Sequence, residues 1–205
     1  MRADATRNRA RILEVARELI GREGPSVSMD AIAAEAGVAV GTLYRHHPTK
    51  AALVEAVIGR SIDQLAEAAE DALGRGAGGP GAGEELARLF RVVAARYPVD
   101  EAVKQAAGSL GAQAPHPGSG PDGGFGAGTP ELRAWRAFTD LLRAAQDEGT
   151  IRADLTPLDL LALLAGVPTG GVPESVRDRY VDVVIAGCRA LGPGSDQMAR
   201  SRPSQ

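Results

Sequence analysis

Ile32-Ala33-Ala34-Glu35-Ala36-Gly37-Val38-Ala39-Val40-Gly41-Thr42-Leu43-Tyr44-Arg45-His46-His47-Pro48-Thr49-Lys50 is the stretch whose reading decides the fold. Two short helices that cross at a steep angle need a small residue at the crossing, a glycine in the turn and apolar side chains that lock the pair. Ala33 supplies the first, Gly37 the second, and Ile32, Val38 and Leu43 the third. The spacing predicts a helix-turn-helix over about residues 29–48, with a second helix from Val40 to His46. Val40, Gly41, Thr42, Tyr44, Arg45 and His46 are left on its outer side and N-terminal end. Proline at 48 disfavours helical geometry in His47 and so closes that helix.

Working outward, Ser28 is a good N-cap for the helix that precedes the turn, and Asp30 suits its positive start. Upstream, Ile12, Leu13, Ala16, Leu19 and Ile20 form one helical stripe within residues 7–23, which Gly21 and Gly24-Pro25 are expected to end. Downstream, Thr49 caps a fourth helix carrying Leu53, Val54, Val57, Ile58, Ile62 and Leu65. The glycine-rich run from Leu73 to Gly83 is expected to be a flexible connection, because glycine costs backbone entropy and proline removes a donor. Helices are then expected over 84–97 and 99–110, followed by a long loop over 111–129. An amphipathic helix over 130–148 places Leu132, Trp135, Phe138, Leu141, Leu142 and Ala145 inward. Thr156-Pro157 starts the next helix, since Thr can cap and proline loses nothing at the first helical position. That helix, Leu158 to Val167, is apolar around most of its circumference. A last helix over 173–191 carries Val176, Tyr180, Val183, Val184 and Cys188, and a disordered tail is expected over 193–205. No strand pattern and no internal repeat is present.

Composition agrees with an all-α chain of one or two domains. The 205 residues are 44% hydrophobic and 24% charged, as in a folded globular protein, and only 3% aromatic, so the core must come from aliphatic side chains. Net charge is −3, divided unevenly: residues 1–60 carry 9 Lys/Arg against 7 Asp/Glu, and the remainder 14 against 19. Cys188 is the single cysteine, which excludes an internal disulfide and multi-cysteine metal sites. No apolar run approaches the roughly 20 residues of a membrane span, and no secretory h-region follows the N-terminal arginines. The cytoplasm is the expected location. High alanine, glycine and arginine usage points to a GC-rich bacterial genome. Catalysis finds no support: Cys188 has no neighbouring histidine, His116 falls in the expected loop, and Asp147-Glu148 reads as a solvated helix end. No catalytic residue, metal site or cofactor is expected.

From about Arg9 to Val57 the sequence resembles the TetR family of bacterial regulators. The resemblance rests on Ile12-Leu13, Ala16, Leu19-Ile20 and Gly24, then Ser28, Ile32-Ala33 and Ala36-Gly37-Val38, then Gly41-Thr42-Leu43-Tyr44-Arg45-His46 and Pro48-Thr49-Lys50 with Leu53. It implies that Thr42, Tyr44 and Lys50 hold operator phosphates, with Ser28 and His46 as further backbone contacts. Hydroxyls and an ammonium suit phosphate oxygens. The resemblance also places Val40 and Gly41 at base edges, so readout would rest on thymine-methyl contact, close backbone approach and Arg45. His47 departs from the usual aromatic at this junction, which leaves room for a looser joint. Arg2, Arg7, Arg9 and Arg11 form either a minor-groove arm or a solvated basic tail.

The resemblance thus implies a DNA-binding domain over 7–60 and a larger helical ligand-binding and dimerisation domain over 61–192. In the family the terminal helix pair, here Pro157–Gly166 and Glu174–Leu191, packs on its copy, and Leu160, Leu161, Leu164, Val176, Tyr180 and Val184 are the expected interface residues. The apolar circumference of 158–167 independently calls for a partner surface. Phe90, Tyr97, Trp135 and Phe138 are candidate walls of an inducer pocket, or ordinary core. The expected partners are double-stranded operator DNA, a second copy of the chain and a small-molecule inducer, with no membrane. The expected function is a repressor released from a palindromic operator when inducer moves the fourth helix as a lever. The competing reading is an inducer-independent nucleoid or cell-division factor using the same helix-turn-helix; an RNA-binding or adaptor module ranks third, because stacking aromatics are lacking.

Overall fold

A computed structural model of the chain describes residues 2–79, 81–112, 125–169 and 171–190. Most of the expected 111–129 loop, His116 and the 193–205 tail lie outside the described residues. Among those described, the secondary structure is eight α-helices, one 3₁₀ turn and a single isolated bridge between Ile151 and Arg189. The helices are α1 (Arg2–Glu23), α2 (Met29–Glu35), α3 (Val40–His46), α4 (Lys50–Gly76), α5 (Ala82–Ser109), α6 (Pro130–Asp147), α7 (Pro157–Ala165) and α8 (Glu174–Cys188). The 3₁₀ turn is Gly24–Ser26.

The capping residues read from the sequence do their expected work: the hydroxyls of Ser28, Thr49 and Thr156 accept from the Ala31, Ala52 and Asp159 amides, and Thr129, not singled out in the sequence, caps α6 in the same way through the Leu132 amide. At Thr156 the Asp159 carboxylate also accepts from the Thr156 amide at 2.8 Å, which completes a capping box. Each such cap is worth about 1 kcal/mol.

Three elements differ from expectation, each because packing overrides local propensity. α4 does not stop before Leu73 but runs to Gly76, and the connection shrinks to residues 77–81. Ala66, Ala69 and Ala72 are buried, and Arg75 reaches the buried carboxylate of Glu85 at 3.0 Å, so tertiary contacts offset the glycine entropy. α5 is one helix through Pro98 rather than two. Proline removes one amide donor, but Phe90 and Ala94 before it and Val103, Ala106 and Ala107 after it are all buried, which holds the segment helical on both sides. α8 ends at Cys188, where the chain turns extended and Arg189 bridges to Ile151. Glu148, read as a solvated terminus, instead accepts from the amides of Ala82 and Gly83 at 2.9 and 3.3 Å, capping α5, which has no side-chain cap of its own.

The core falls into connected parts. At the N-terminal end, Ile12, Ala16, Ile20, Ile32, Leu43, Leu53, Val54 and Val57 pack together, and Val103, Ala106 and Ala107 from the far end of α5, with Ala112 just beyond it, join them. The second part gathers Ala69, Ala72, Leu86, Leu89, Leu141, Leu142, Leu160 and Cys188. The third joins Phe90 and Ala94 to Val167, Val181 and Ile185. α4 and α5 both serve the first two, and α4 with its 27 residues is about 40 Å long. α1 lies directly on α5: a Cβ at Gly21 would stand 2.5 Å from Val99 Cγ1, and Arg17 Nε donates to Asp100 Oδ1 at 2.7 Å. The N-terminal helices are therefore keyed into the body through α5 as well as through α4.

Candidate functional site

The turn between α2 and α3 forms because Gly37 takes φ +66°, a conformation that costs an L side chain about 1–2 kcal/mol. It lets the Gly37 and Val38 amides donate back to Ala34 and Ala33 carbonyls at 3.1 and 3.0 Å. Leu43, fully buried, pins α3 to the core beneath it. The opposite face is open: Val40 is 39% and Tyr44 46% exposed, and Gly41, Arg45 and His46 are exposed too. A Cβ at Gly41 would meet nothing within 4 Å, so no packing inside the chain requires glycine there. Its missing side chain leaves backbone bare at the start of an outward-facing helix.

Ser28, Thr42, Tyr44, His46 and Lys50 belong to this same α2–α3–α4 unit. Ser28 Oγ is engaged as the α2 cap at 3.0 Å, and Thr42 Oγ1 accepts from Arg45 Nη2 at 3.3 Å. Lys50 Nζ donates to the Pro25 carbonyl at 2.8 Å, which fixes the ammonium beside the 3₁₀ turn and leaves two donors over. His47 fills the joint before α4: it is only 5% exposed, and its Nε2 is buried without a hydrogen-bond partner. Burial, then the nearby Arg9 and His46 charges, push its pKa below the usual 6.5, against hydrogen bonding to the Ala52 backbone. The N-terminal arginines are not an extended arm, since α1 is helical from Arg2 onward. Arg11 lies across the turn, with its guanidinium 3.3 Å from where a Gly37 Cβ would be. The sequence reading had no signal for that contact.

A cavity of about 290 Å³ opens among α4, α5, α6 and α7. Phe90, Tyr97, Trp135 and Phe138, the four aromatics singled out as candidate pocket walls, all line it. Phe125 also lines it and meets Trp135 edge-on at 6.5 Å between ring centroids. The walls are mostly apolar, but Ser61, Gln64, Arg96, Asp100, Lys104 and Glu131 are polar. Arg96, Asp100 and Lys104 recur every fourth residue on one stripe of α5, a charge pattern visible in the sequence and overlooked there.

Residues 12–57 match the family model for bacterial regulatory proteins of the tetR family, and residues 129–190 match that for the C-terminal domain of SbtR-like transcriptional regulators. A crystal structure of the TetR transcription regulatory protein from Mycobacterium vanbaalenii is 35% identical, with TM-score 0.67, covering 92% of this chain and 99% of that one. The chain belongs to the TetR family. A TetR transcriptional regulator from Streptomyces coelicolor superposes equally well, with TM-score 0.67 at 28% identity over 90% of this chain and 99% of the other. HTH-type transcriptional regulators of Staphylococcus aureus share 48% identity over 64 residues, 31% of this chain. The chain spans only about a third (35%) of the length of those curated relatives.

This TetR-family chain leaves an apolar surface on its last two helices. α7 buries only Leu160, while Leu158 is 42%, Val176 44% and Val183 66% exposed. The expected interface set is divided by the structure. Leu160, at 3% exposure, is spent in the chain's own core. Tyr180 donates to the Leu163 carbonyl at 2.8 Å, and Val184 packs inward beside it. Leu161 and Leu164 are half-buried and line the cavity. The buried side chains of α8 are Val181, Ile185 and Cys188; of the face read in the sequence Cys188 is among them, Tyr180 and Val184 are half-buried, and Val176 and Val183 are exposed. Burial pushes the Cys188 thiol upward, the wrong direction for a nucleophile. No helix among the described residues is long and apolar enough to cross a membrane.

Proposed function

We propose that this protein is a cytoplasmic transcriptional repressor that binds a palindromic operator as a homodimer and releases it when a small molecule occupies the cavity. The observation that carries the reading is the position of α4. Its first turns, Leu53 to Ile58, share one buried core with Leu43 of α3, and its middle, Ile62 to Ala69, forms one wall of the cavity. Any ligand that shifts α4 moves α3 with it, and in a dimer that changes the separation of two recognition helices. Two half-sites accept only a matched spacing, so a small displacement forfeits contacts on both.

In this reading α3 enters the major groove, with Val40 and the bare backbone of Gly41 at base edges and Arg45 swinging from Thr42 toward a base. Tyr44, Lys50 and Thr42 hold phosphates, with Ser28 and His46 beside them. The DNA-binding unit comprises residues 7–60, and residues 61–192 bind ligand and dimerise. Leu158, Val176 and Val183 are the outward side chains that a second copy would cover, with Leu161 and Leu164 at the edge of that surface.

Footprinting on the DNA upstream of the protein's own gene tests the proposal. Two protected half-sites related by a dyad and spaced by whole helical turns, at two chains per site, are expected. Protection without a dyad, or uniform coating of any fragment, would contradict it.

A further inference from the structure

Resting on the reading of the cavity as a ligand site, we propose that it takes an amphipathic organic acid, with the apolar body against Phe90, Trp135 and Phe138 and the anionic end at Arg96 and Lys104. The argument is one of which charges on the wall are already satisfied. Asp100 is committed: its Oδ1 accepts from Arg17 Nε at 2.7 Å and lies 3.5 Å from Ser61 Oγ, and Oδ2 lies 3.8 Å from Arg96 Nε. Glu131 stands in the first turn of α6, where the helix's own positive end favours a carboxylate.

The cations are less well matched. Arg96 makes its one short hydrogen bond to a neutral acceptor, Gln64 Oε1, at 2.8 Å, and its contact with Asp100 is long. Lys104 has no hydrogen-bond or ion-pair partner among the described residues. A guanidinium offers five donors and an ammonium three, so most of this capacity is unspent. A carboxylate arriving there gains charge-assisted bonds to donors that are otherwise unspent. An amine arriving there would meet Asp100 with its bonds already made and three cations, Arg17, Arg96 and Lys104, around it. The acid would also sit beside the Asp100–Arg17 pair that ties α5 to α1. Arg17 is 8% exposed, its Nη1 also pairs with Glu14 Oε1 at 3.4 Å, and its Nη2 is buried with no partner.

The experiment loads the purified full chain with N-phenyl-1-naphthylamine, a neutral apolar probe, and reads energy transfer from Trp135, the single tryptophan and part of the cavity wall. Decanoate, decanol and decylamine then compete for the probe. Decanoate is expected to displace it at roughly tenfold lower concentration than either competitor, as one charge-assisted bond would supply. In Arg96→Gln/Lys104→Gln, checked for fold by circular dichroism, decanoate's advantage over decanol should vanish. Equal displacement by decanoate and decanol, or tighter decylamine, would overturn the acid while the cavity reading stands. Absence of probe binding would sink the cavity reading itself, and the proposal with it.

Discussion

Acidification should loosen the protein through His47, and replacing that residue should remove the effect. His47 is 5% exposed with a buried, unpartnered Nε2, and its pKa is held below 6.5 chiefly by burial, then by Arg9 and His46. The folded state therefore resists protonation that the unfolded chain accepts. Stability is fully present above pH 6.5 and is lost as pH falls from 6.5 toward the depressed folded pKa. One proton difference gives at most about 1.4 kcal/mol per pH unit, so between pH 6.5 and 5.5 the loss is bounded by about 1.4 kcal/mol. For a chain of this size that is a fall in Tm of at most a few degrees, at ~2–4 °C per kcal/mol. His47→Phe keeps an aromatic ring in the joint, removes the orphaned nitrogen and cannot titrate. Thermal melts by circular dichroism at pH 7.5, 6.5 and 5.5 should show the wild type losing more Tm than His47→Phe across the lower interval. Parallel pH profiles for the two proteins would refute the reasoning and place the acid sensitivity elsewhere.

Two further outcomes follow from named contacts. Gly37→Ala forces an L residue to φ +66° and should cost about 1–2 kcal/mol, read as a lower Tm and weakened DNA binding; an unchanged Tm would mean the turn relaxes without strain. Val183→Glu places a charge on the most exposed of the large apolar side chains among the described residues, 66% accessible, and should shift the chain toward monomer in analytical ultracentrifugation without lowering helicity; an unchanged oligomeric state would remove this face from the interface.

Much of the N-terminal unit was legible because its constraints are local. Ser28 and Thr49 cap by their own hydroxyls, Gly37 turns by its own backbone, and the Val40–His46 helix follows from residues within a few positions of one another. The C-terminal half is shaped by distant contacts that no window contains. Pro98 stays within a helix because α1 and the buried stretches either side hold it there, and Gly74 and Gly76 stay helical partly because Glu85 draws Arg75 across. The four aromatics named as candidate walls of the pocket that the resemblance implies all line the cavity, and Phe90, Trp135 and Phe138 lie on the inward stripes of their helices. The polar end of the cavity was missed because Arg96, Asp100 and Lys104 read singly as ordinary surface charges, and only the packing of α1 and α4 against α5 turns them inward. On α8 valines stand on both sides, so hydrophobicity alone does not separate the side chains the chain itself buries, Val181, Ile185 and Cys188, from the exposed Val176 and Val183.

The most direct test of the central claim is fluorescence anisotropy on the upstream fragment across a salt series, comparing wild type with Tyr44→Ala/Lys50→Ala. The account predicts tight, salt-steep binding by the wild type, and weaker binding by the double variant with a log–log salt slope shallower by about 1 for the lost Lys50 contact. Equal affinity and equal slope for both proteins would contradict it, because the outward face of α3 and the start of α4 would then not be the surface that holds DNA.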